Sequence, residues 1–401
     1  KYRQFVIEDR SLAAWRMPIV VGRWGKIEGH AYAYLCESMS QARLIPFVSD
    51  DGLWEQTRKA FDFMLDGDGL AITGACGDHE CWNNTQSGTT NLGETCTTAY
   101  QVRFYDWLLR QTGEPLYGDL MERAIHNALF GAQSQDGRRI RYYTPFEAPR
   151  KYHEGDTYCC PCNYRRILPA IPSMIYYAAG SGVFVNLYTE SSALVPLTDG
   201  TVVAIEQKTD YPNSGHVVFR LSPSRNATFT IGFRKPRWAK SVSVTVNGTP
   251  ETETPQPDGA LGVTRAWKAG DEMTIEFPME WRLIRGRAAQ IGRAAIMRGP
   301  LVYAYSPERN PDLASLEPRL MTLDTSAAIE GPFPDQSVRP GGTACRVRVW
   351  EPGAWYPGSA TREVLLTEYT DPTATSIYFH VPNPNDPILI DDELVGTGKE
   401  V

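Results

Sequence analysis

The sequence predicts a multidomain α + β protein in which a helical part is followed by β-sandwich domains. At 401 residues the chain is too long to fold around one ordinary hydrophobic core, so two or three domains are expected. Apolar and aromatic residues recur at helical spacing up to about residue 180. Beyond that point, short runs rich in β-branched and aromatic residues alternate with turn residues, which is typical of sandwich strands.

The helical part is predicted over residues 1–180. Its clearest segments are residues 30–44, 52–65, 97–112 and 115–132. The chain starts at Lys1 rather than at Met, within sequence of helical character. We therefore expect that an N-terminal portion has been cut away or was never supplied.

Strand candidates follow over residues 181–290, predicted as a first β-sandwich domain, and over residues 291–401, predicted as a second, sandwich-like domain. They are residues 183–188, 202–205, 216–221, 227–233, 242–246, 272–277, 294–297, 301–305, 346–350, 363–367 and 376–381. Asn247 and Gly248 predict a tight hairpin turn because both residues tolerate positive φ. Residues 306–340 are rich in Pro, Asp and Ser and predict a long connection.

The charge balance argues against nucleic acid and membrane partners. The net charge is -7 and the pI is near 5.5, and no run of Lys or Arg is long. No stretch approaches the ~20 apolar residues of a membrane helix, and residues 1–20 lack the pattern of a signal peptide. We expect a soluble protein with a neutral or polar small-molecule substrate, in a bacterial cytoplasm or periplasm rather than secreted.

The eight cysteines include three within four positions, Cys159, Cys160 and Cys162. This clustering favours metal or redox chemistry over disulfide cross-linking. A local disulfide between Cys76 and Cys81 remains open at this point. A thiol-redox protein is disfavoured because no Cys-x-x-Cys motif of this chain lies in a thioredoxin-like βαβ context.

Two separate motifs together predict a zinc site. Glu94 and Cys96 lie two residues apart, and Cys159 is followed directly by Cys160. Thiolates and a carboxylate are ordinary zinc ligands, and these four side chains could fill a tetrahedral coordination sphere. The alternatives are a closed zinc site that only ties two segments together, or thiols buried as small hydrophobic groups.

A second acidic motif lies upstream, in a glycine-punctuated loop that contains Asp78, Glu80 and Trp82. A carboxyl group that Trp82 partly shields from water would have a raised pKa, which suits a general acid. The alternative is an ordinary solvated loop.

The series of motifs resembles glycoside hydrolase family 127, the β-L-arabinofuranosidases. It comprises Gly29-His30-Ala31, Glu94-Thr95-Cys96, Cys159-Cys160-Pro161-x-Asn163, Val185-Asn186-Leu187-Tyr188 and the run from Met297 to Tyr303. The motifs occur in the family's order, and the resemblance covers roughly residues 24–381. It implies an (α/α)6 barrel followed by β-sandwich domains. About half of the twelve barrel helices are present, so a homodimer or a missing N-terminal segment is expected to complete the barrel.

The resemblance also implies roles for individual residues. Cys159 would be the nucleophile and a ligand of Zn²⁺, with Glu94, Cys96 and Cys160 as the other ligands, Glu80 as general acid/base, and His30 and Tyr142 as substrate contacts. Two alternatives stay open: Cys162 could replace Cys160 as a ligand, and Asp78 could replace Glu80 as the acid.

The implied activity is a retaining exo-glycoside hydrolase that releases terminal β-L-arabinofuranose from plant glycans or glycoproteins. One alternative is the same machinery acting on another L-furanoside, such as the aceric acid of complex pectin. The other is a non-catalytic, zinc-stabilised carbohydrate-binding protein.

Overall fold

The computed structural model describes residue 27 and residues 29–48, 51–155, 158–180, 182–256, 259–355 and 358–397. The helical sequence predicted for residues 1–26 lies outside this set. Helical elements occupy the described chain up to Met174, and strands follow from Tyr176 onward. The predicted order of a helical part and then β-sheet domains is confirmed.

The helices are α1 (Ala31–Ala42), α2 (Glu55–Phe61), α3 (Thr95–Thr112), α4 (Leu116–Arg123) and α5 (Cys159–Ile167). A π-helical turn extends α2 over Asp62–Asp66 and α4 over Ala124–Leu129, and 3-10 turns occupy Ile45–Phe47, Asp51–Trp54 and Leu168–Met174. The four predicted helical segments are confirmed. Helix α5 was not predicted, because cysteines and a proline fill its first turn.

Helix α3 shows why these segments are helical. Val102, Tyr105 and Leu108 lie on one face at spacings of three residues, and all are fully buried. The helix ends at Gly113, which has a φ of 76° and donates its N–H to the Leu109 carbonyl at 2.8 Å. A left-handed glycine at this position is a common way to end a helix.

The strands are β1 (Tyr176–Ala179), β2 (Gly182–Val185), β3 (Ser191–Pro196), β4 (Val202–Thr209), β5 (His216–Pro223), β6 (Ala227–Phe233), β7 (Ser243–Val246), β8 (Thr249–Glu251), β9 (Thr254–Pro255), β10 (Leu261–Trp267), β11 (Asp271–Glu276), β12 (Trp281–Arg285), β13 (Arg293–Arg298), β14 (Leu301–Tyr305), β15 (Thr322–Leu323), β16 (Glu330–Pro334), β17 (Thr343–Trp350), β18 (Arg362–Glu368), β19 (Tyr378–His380) and β20 (Leu389–Ile390).

Two sheets share the first β core. One has the strand order β1-β2-β6-β10-β9 and the other β3-β4-β5-β11-β7-β8. Alternate residues of both sheets enter one buried cluster, for example Phe229 and Ile231 from β6 and Val217 and Phe219 from β5. This is the packing of a β-sandwich. The predicted hairpin at Asn247 and Gly248 is confirmed, with φ angles of 51° and 77° between the paired strands β7 and β8.

A nine-stranded sheet follows, with the order β14-β18-β17-β15-β19-β13-β12-β20 and β16 paired to β17. The change from the first two sheets to this one falls between β11 and β12, while the proposed division at residues 180 and 290 stays a prediction. The predicted long connection over residues 306–340 is wrong in part, because it contains β15, β16 and two 3-10 turns. Short strands interrupted by Gly and Pro carry little alternation in sequence.

The nine-stranded sheet packs against the helical part. One buried cluster joins Ile72 and Leu92, near the acidic loop, to Met297 and Val302 of the sheet. The residues on either side of the loop that carries Asp78 and Glu80 therefore pack on this sheet, although the sheet is more than two hundred residues away in sequence. In the described chain, no helix combines the length and the hydropathy needed to cross a bilayer.

Candidate active site

Glu94 and Cys96 are positioned by the start of α3. Glu94 is the N-cap residue of the helix, and its backbone pairs with Tyr143. The Glu94 side chain is 1% exposed, and its Oε2 accepts a hydrogen bond from the Thr97 hydroxyl at 2.8 Å. Cys96 lies in the first helical turn and is fully buried. Both side chains are thus fixed by a helix end.

Cys159 and Cys160 are the first two residues of α5, which packs against α3. Cys160 Sγ lies 3.4 Å from Cys96 Sγ and 3.9 Å from Glu94 Oε1. Cys159 Sγ lies 3.7 Å from the same Glu94 oxygen. One ligand atom from each of the four residues falls within 4.8 Å of the others. The structure therefore brings together all four side chains that the sequence predicted as metal ligands.

This geometry fits a tetrahedral metal ion. Ligands about 2.3 Å from a tetrahedral zinc ion lie about 3.8 Å from one another. Burial raises the pKa of the Glu94 carboxyl, and burial together with the Cys96 thiol raises the pKa of Cys159 to about 12. A metal ion beside these groups would supply the positive charge that favours the deprotonated forms of its ligands.

Asn163 supports the cluster from one turn further along α5. Its side-chain amide donates to Cys96 Sγ at 3.1 Å, and Asn163 is buried. An N–H donor to a metal-binding sulfur orients the ligand and stabilises its negative charge. Asn163 belongs to one of the family motifs, but its sequence position predicted no role for it. Its spacing of three residues from Cys160 is the signal that could have placed both on one helix face.

Cys76, Cys81 and Cys162 do not belong to the ligand group. Cys162 is exposed, whereas Cys160 is buried within the group of ligands. The predicted alternative of a disulfide between Cys76 and Cys81 is wrong, because both thiols are free. Cys76 is buried and Cys81 is exposed. The chain turns between them at Gly77, where φ is 82°.

Glu80 lies beside the metal-ligand cluster without belonging to the four ligands. Its Oε1 accepts a hydrogen bond from the Tyr142 hydroxyl, and its Oε2 lies 3.7 Å from His30 Nε2. His30, Glu80 and Glu94 also have ligand atoms within 4.8 Å of one another. The Glu80 side chain remains 34% exposed. A carboxyl group in this position can reach both the cluster and solvent.

Asp78 has different partners. Its Oδ1 lies 2.8 Å from His79 Nδ1, and its Oδ2 accepts a bond from the Thr90 hydroxyl at 2.7 Å. Trp82, which we expected to shield the acid, belongs to the buried core of the helical part. The Trp82 ring packs edge-on against Tyr34 and Phe63 in the helical core, with centroid distances of 5.4 and 5.6 Å.

Tyr142 connects the acid to the nucleophile candidate. Its hydroxyl oxygen, which donates to Glu80, lies 3.9 Å from Cys159 Sγ. Its ring stacks on Tyr158 at 5.3 Å, and His153 contacts both rings. Burial, followed by the bond to Glu80, raises the pKa of the Tyr142 phenol, which therefore stays protonated as a donor.

Two family models match this chain. Residues 26–173 match the family described as "Beta-L-arabinofuranosidase, GH127 catalytic domain", and residues 182–279 match the GH127 middle domain. The chain belongs to the GH127 family. The matched catalytic-domain segment contains every predicted site residue of this GH127 chain.

The relatives of this GH127 chain are longer than the chain itself. A non-reducing end β-L-arabinofuranosidase of Bifidobacterium longum subsp. longum is 27% identical over 319 residues, which are 71% of this chain and 46% of the relative. A GH127 β-L-arabinofuranosidase from Geobacillus stearothermophilus T6 has a TM-score of 0.77 at 25% identity, over 88% of this chain and 61% of its own. A second GH127 β-arabinofuranosidase has a TM-score of 0.77 at 24% identity, over 89% and 60%. The chain thus spans about half to three fifths of these relatives.

Proposed function

We propose that this protein is a retaining exo-glycoside hydrolase that releases terminal β-L-arabinofuranose from plant glycans or glycoproteins. The observation that carries the proposal is a carboxyl group outside the metal-ligand set that faces the same space as Cys159. A zinc site that only ties segments together has no use for such a group. The Tyr142 hydroxyl, which contacts both Glu80 and Cys159, holds the two reactive side chains on one side of the cluster.

The first step joins the sugar to the protein. Cys159 Sγ attacks the anomeric carbon as a thiolate and forms a carbon–sulfur bond, while the bond from that carbon to the leaving oxygen breaks. Protonated Glu80 gives its proton to the leaving oxygen. Tyr142 orients Glu80 through its hydroxyl, and His30 on the other carboxylate oxygen is placed to contact the sugar.

The second step releases the sugar. Glu80, now a carboxylate, takes a proton from water while the water oxygen bonds to the anomeric carbon and the carbon–sulfur bond breaks. The Cys159 thiolate is restored and Glu80 is protonated again. Two displacements at the same carbon retain its configuration.

The residues that would hold Zn²⁺ are Glu94, Cys96, Cys159 and Cys160. When bound, the ion would keep the Cys159 thiol deprotonated at neutral pH. Asn163 would orient Cys96 as a ligand through its 3.1 Å bond. We further propose that the helical part is a portion of an (α/α)6 barrel, as the family resemblance implies.

The choice of sugar rests on the relatives, which carry the name β-L-arabinofuranosidase. The decisive experiment is a panel of nitrophenyl furanosides, with the metal content measured on the same preparation. We expect cleavage of the β-L-arabinofuranoside, retained configuration by proton NMR, and about one zinc per chain. Bound zinc without hydrolysis of any furanoside would favour a structural metal site instead.

The role of Cys159 has its own test. Cys159→Ser should abolish turnover while substrate affinity stays within about tenfold, a difference of ~1.4 kcal/mol. A serine hydroxyl is a much poorer nucleophile at neutral pH. If the serine variant keeps turning over the substrate, or if the product has inverted configuration, the nucleophile is water and not Cys159.

A further inference from the structure

A cavity of about 680 Å³ opens beside the candidate active site. Its walls come from residues 89–91, which follow the acidic loop, and from residues 142–153, which precede α5. Both segments are among the described residues. Of their residues, Tyr142 alone has a role in the two chemical steps. The volume falls within the ~300–1,000 Å³ typical of small-molecule sites.

Tyr142 lines this cavity and also contacts the two side chains proposed to react. Its hydroxyl faces Glu80 and Cys159, whereas its ring lies 4.6 Å from the Tyr143 ring and 5.7 Å from the His153 ring, centroid to centroid. Tyr143 and His153 both line the cavity. Tyr142 is therefore the residue that both lines the cavity and contacts Glu80.

The chemistry of the acid decides which part of a substrate this space would receive. A general acid must lie within hydrogen-bond reach of the oxygen that leaves. The leaving group is therefore placed next to Glu80, and Tyr142, which bonds to Glu80, is also a wall of the cavity. We propose that the cavity is a binding subsite for the leaving saccharide, the sugar unit to which the terminal furanose is linked.

The lining suits a neutral sugar. Tyr143 and His153 offer ring faces for the apolar C–H face of a sugar, and the exposed Asn91 and Lys151 offer hydrogen bonds to its hydroxyls. Among the described residues that line the cavity, Lys151 is the one Lys, Arg, Asp or Glu. This balance fits a hydroxyl-rich ligand better than a strongly charged one.

Contacts within the protein hold Tyr152, one of the residues that line the cavity, in position. The Tyr152 hydroxyl accepts a bond from buried Arg141 at 2.8 Å, and its backbone pairs with the same residue. The guanidinium groups of Arg139 and Arg141 lie 4.6 and 4.3 Å from the Tyr152 ring centroid. A preformed wall reduces the ordering cost of binding.

This inference rests on the proposed function, and the test separates the two. Two substrates are compared: a β-linked disaccharide of L-arabinofuranose and methyl β-L-arabinofuranoside. Both need an acid at Glu80, but the second has no sugar for the subsite. For Asn91→Ala and His153→Ala, we expect the ratio of kcat/KM between disaccharide and methyl furanoside to fall about tenfold.

The matched control is His216→Ala on β5, an exposed histidine paired with Glu276 far from the site. It should leave both kcat/KM values unchanged. The inference is overturned if the ratio stays within about twofold of the wild-type ratio in both cavity variants.

Binding provides an independent measurement. If the wild-type protein hydrolyses neither substrate, the proposed function fails, and saturation-transfer NMR with the intact disaccharide then decides the subsite. A signal that is present for wild type and His216→Ala but lost in His153→Ala supports the subsite. Equal signals in all three proteins, or none in wild type, overturn it.

Discussion

At the scale of single residues, the environments of two acids in one loop favour Glu80 over Asp78 in the proposed role of general acid. Asp78 is engaged by His79 and Thr90, whereas Glu80 faces the cluster through Tyr142 and His30. Positive φ angles of 47° at His79 and 68° at Glu80 turn the chain between the two carboxyl groups. The strain of these angles is consistent with a functional position for Glu80.

Glu80→Gln should slow cleavage of sugar-linked furanosides by about 10²–10⁴-fold, because the leaving oxygen loses its proton donor. The first step on a nitrophenyl furanoside should be spared, since that leaving group needs no proton. The glycosyl intermediate should then accumulate, and mass spectrometry should find one pentose on Cys159. Added azide should release it as a glycosyl azide. If Asp78→Asn shows this behaviour and Glu80→Gln does not, the acid is Asp78.

The choice between Cys160 and Cys162 as metal ligand is a second question at the residue scale. Cys160→Ala should lose zinc and lower the stability of the fold, because metal binding and folding are coupled. Cys162→Ala should retain zinc, since the Cys162 side chain is exposed and outside the ligand group. Elemental analysis of both purified variants tests this directly. If Cys162→Ala loses zinc and Cys160→Ala keeps it, Cys162 is the ligand in place of Cys160.

At the scale of elements, the acidic loop depends on a close approach between Gly74 and the end of α4. Gly74 has a φ of 81°, and a Cβ at this position would lie 2.6 Å from Ala124 N and 2.7 Å from Ala124 Cα. Only a residue without a side chain lets the loop pass this close to the helix backbone. The helix end therefore sets the path by which the chain reaches Glu80.

Gly74→Ala should destabilise the protein by about 1–3 kcal/mol more than Gly137→Ala, because it adds an overpacking cost to the cost of positive φ. Gly137 is a matched control in the same helical part, with a φ of 69° and a nearest contact of 3.5 Å. Urea unfolding followed by far-UV circular dichroism measures both variants. Equal losses of stability would show that the helix backbone moves aside at little cost.

At the scale of the whole molecule, the segment after β20 returns to the helical part. Arg123 at the end of α4 donates to both oxygens of Asp392, at 3.1 and 3.3 Å, and also contacts Glu393. Glu393 pairs in turn with Arg282 of the nine-stranded sheet at 2.7 Å. The Gly396 N–H donates to the Leu65 carbonyl at 3.0 Å. These bonds join the C-terminal end of the described chain to the helical part.

Asp392→Asn should reduce stability at pH 7 by about 1.5–3 kcal/mol, the range for a hydrogen bond to a charged group. Burial alone would raise the pKa of Asp392, but the charges of Arg123 and Arg287, together with the hydrogen bonds that Asp392 accepts, outweigh burial and lower it. Glu393 and Tyr378 are the other titratable groups that face this cluster.

The pH dependence of that difference has a defined sign. Because the folded pKa of Asp392 is lowered, its contribution is present above the unfolded pKa of about 3.9 and is lost as the pH falls through the folded value. The gap between wild type and Asp392→Asn should be constant from about pH 5 to 7 and should shrink below about pH 4. Thermal unfolding at several pH values measures it. A gap that persists unchanged at the lowest pH would show that the charge of Asp392 contributes nothing.

The order of helical and β parts follows from local sequence, as do the helices with clear apolar periodicity and the hairpin at Asn247. These features depend on side-chain spacing within one element, which the chain carries by itself. The residue types at Glu94, Cys96, Cys159 and Cys160 likewise predicted a ligand set, because thiolates and carboxylates are ordinary zinc ligands.

Only the tertiary structure decided which groups meet. The packing of α5 on α3 brings Cys160 into the cluster and leaves Cys162 exposed, and loop geometry turns Glu80 rather than Asp78 toward it. The burial of Trp82 and the cavity beyond Tyr142 likewise depend on contacts between distant segments. Such contacts have no period in sequence, since they arise from how whole elements pack, and local patterns therefore cannot predict them.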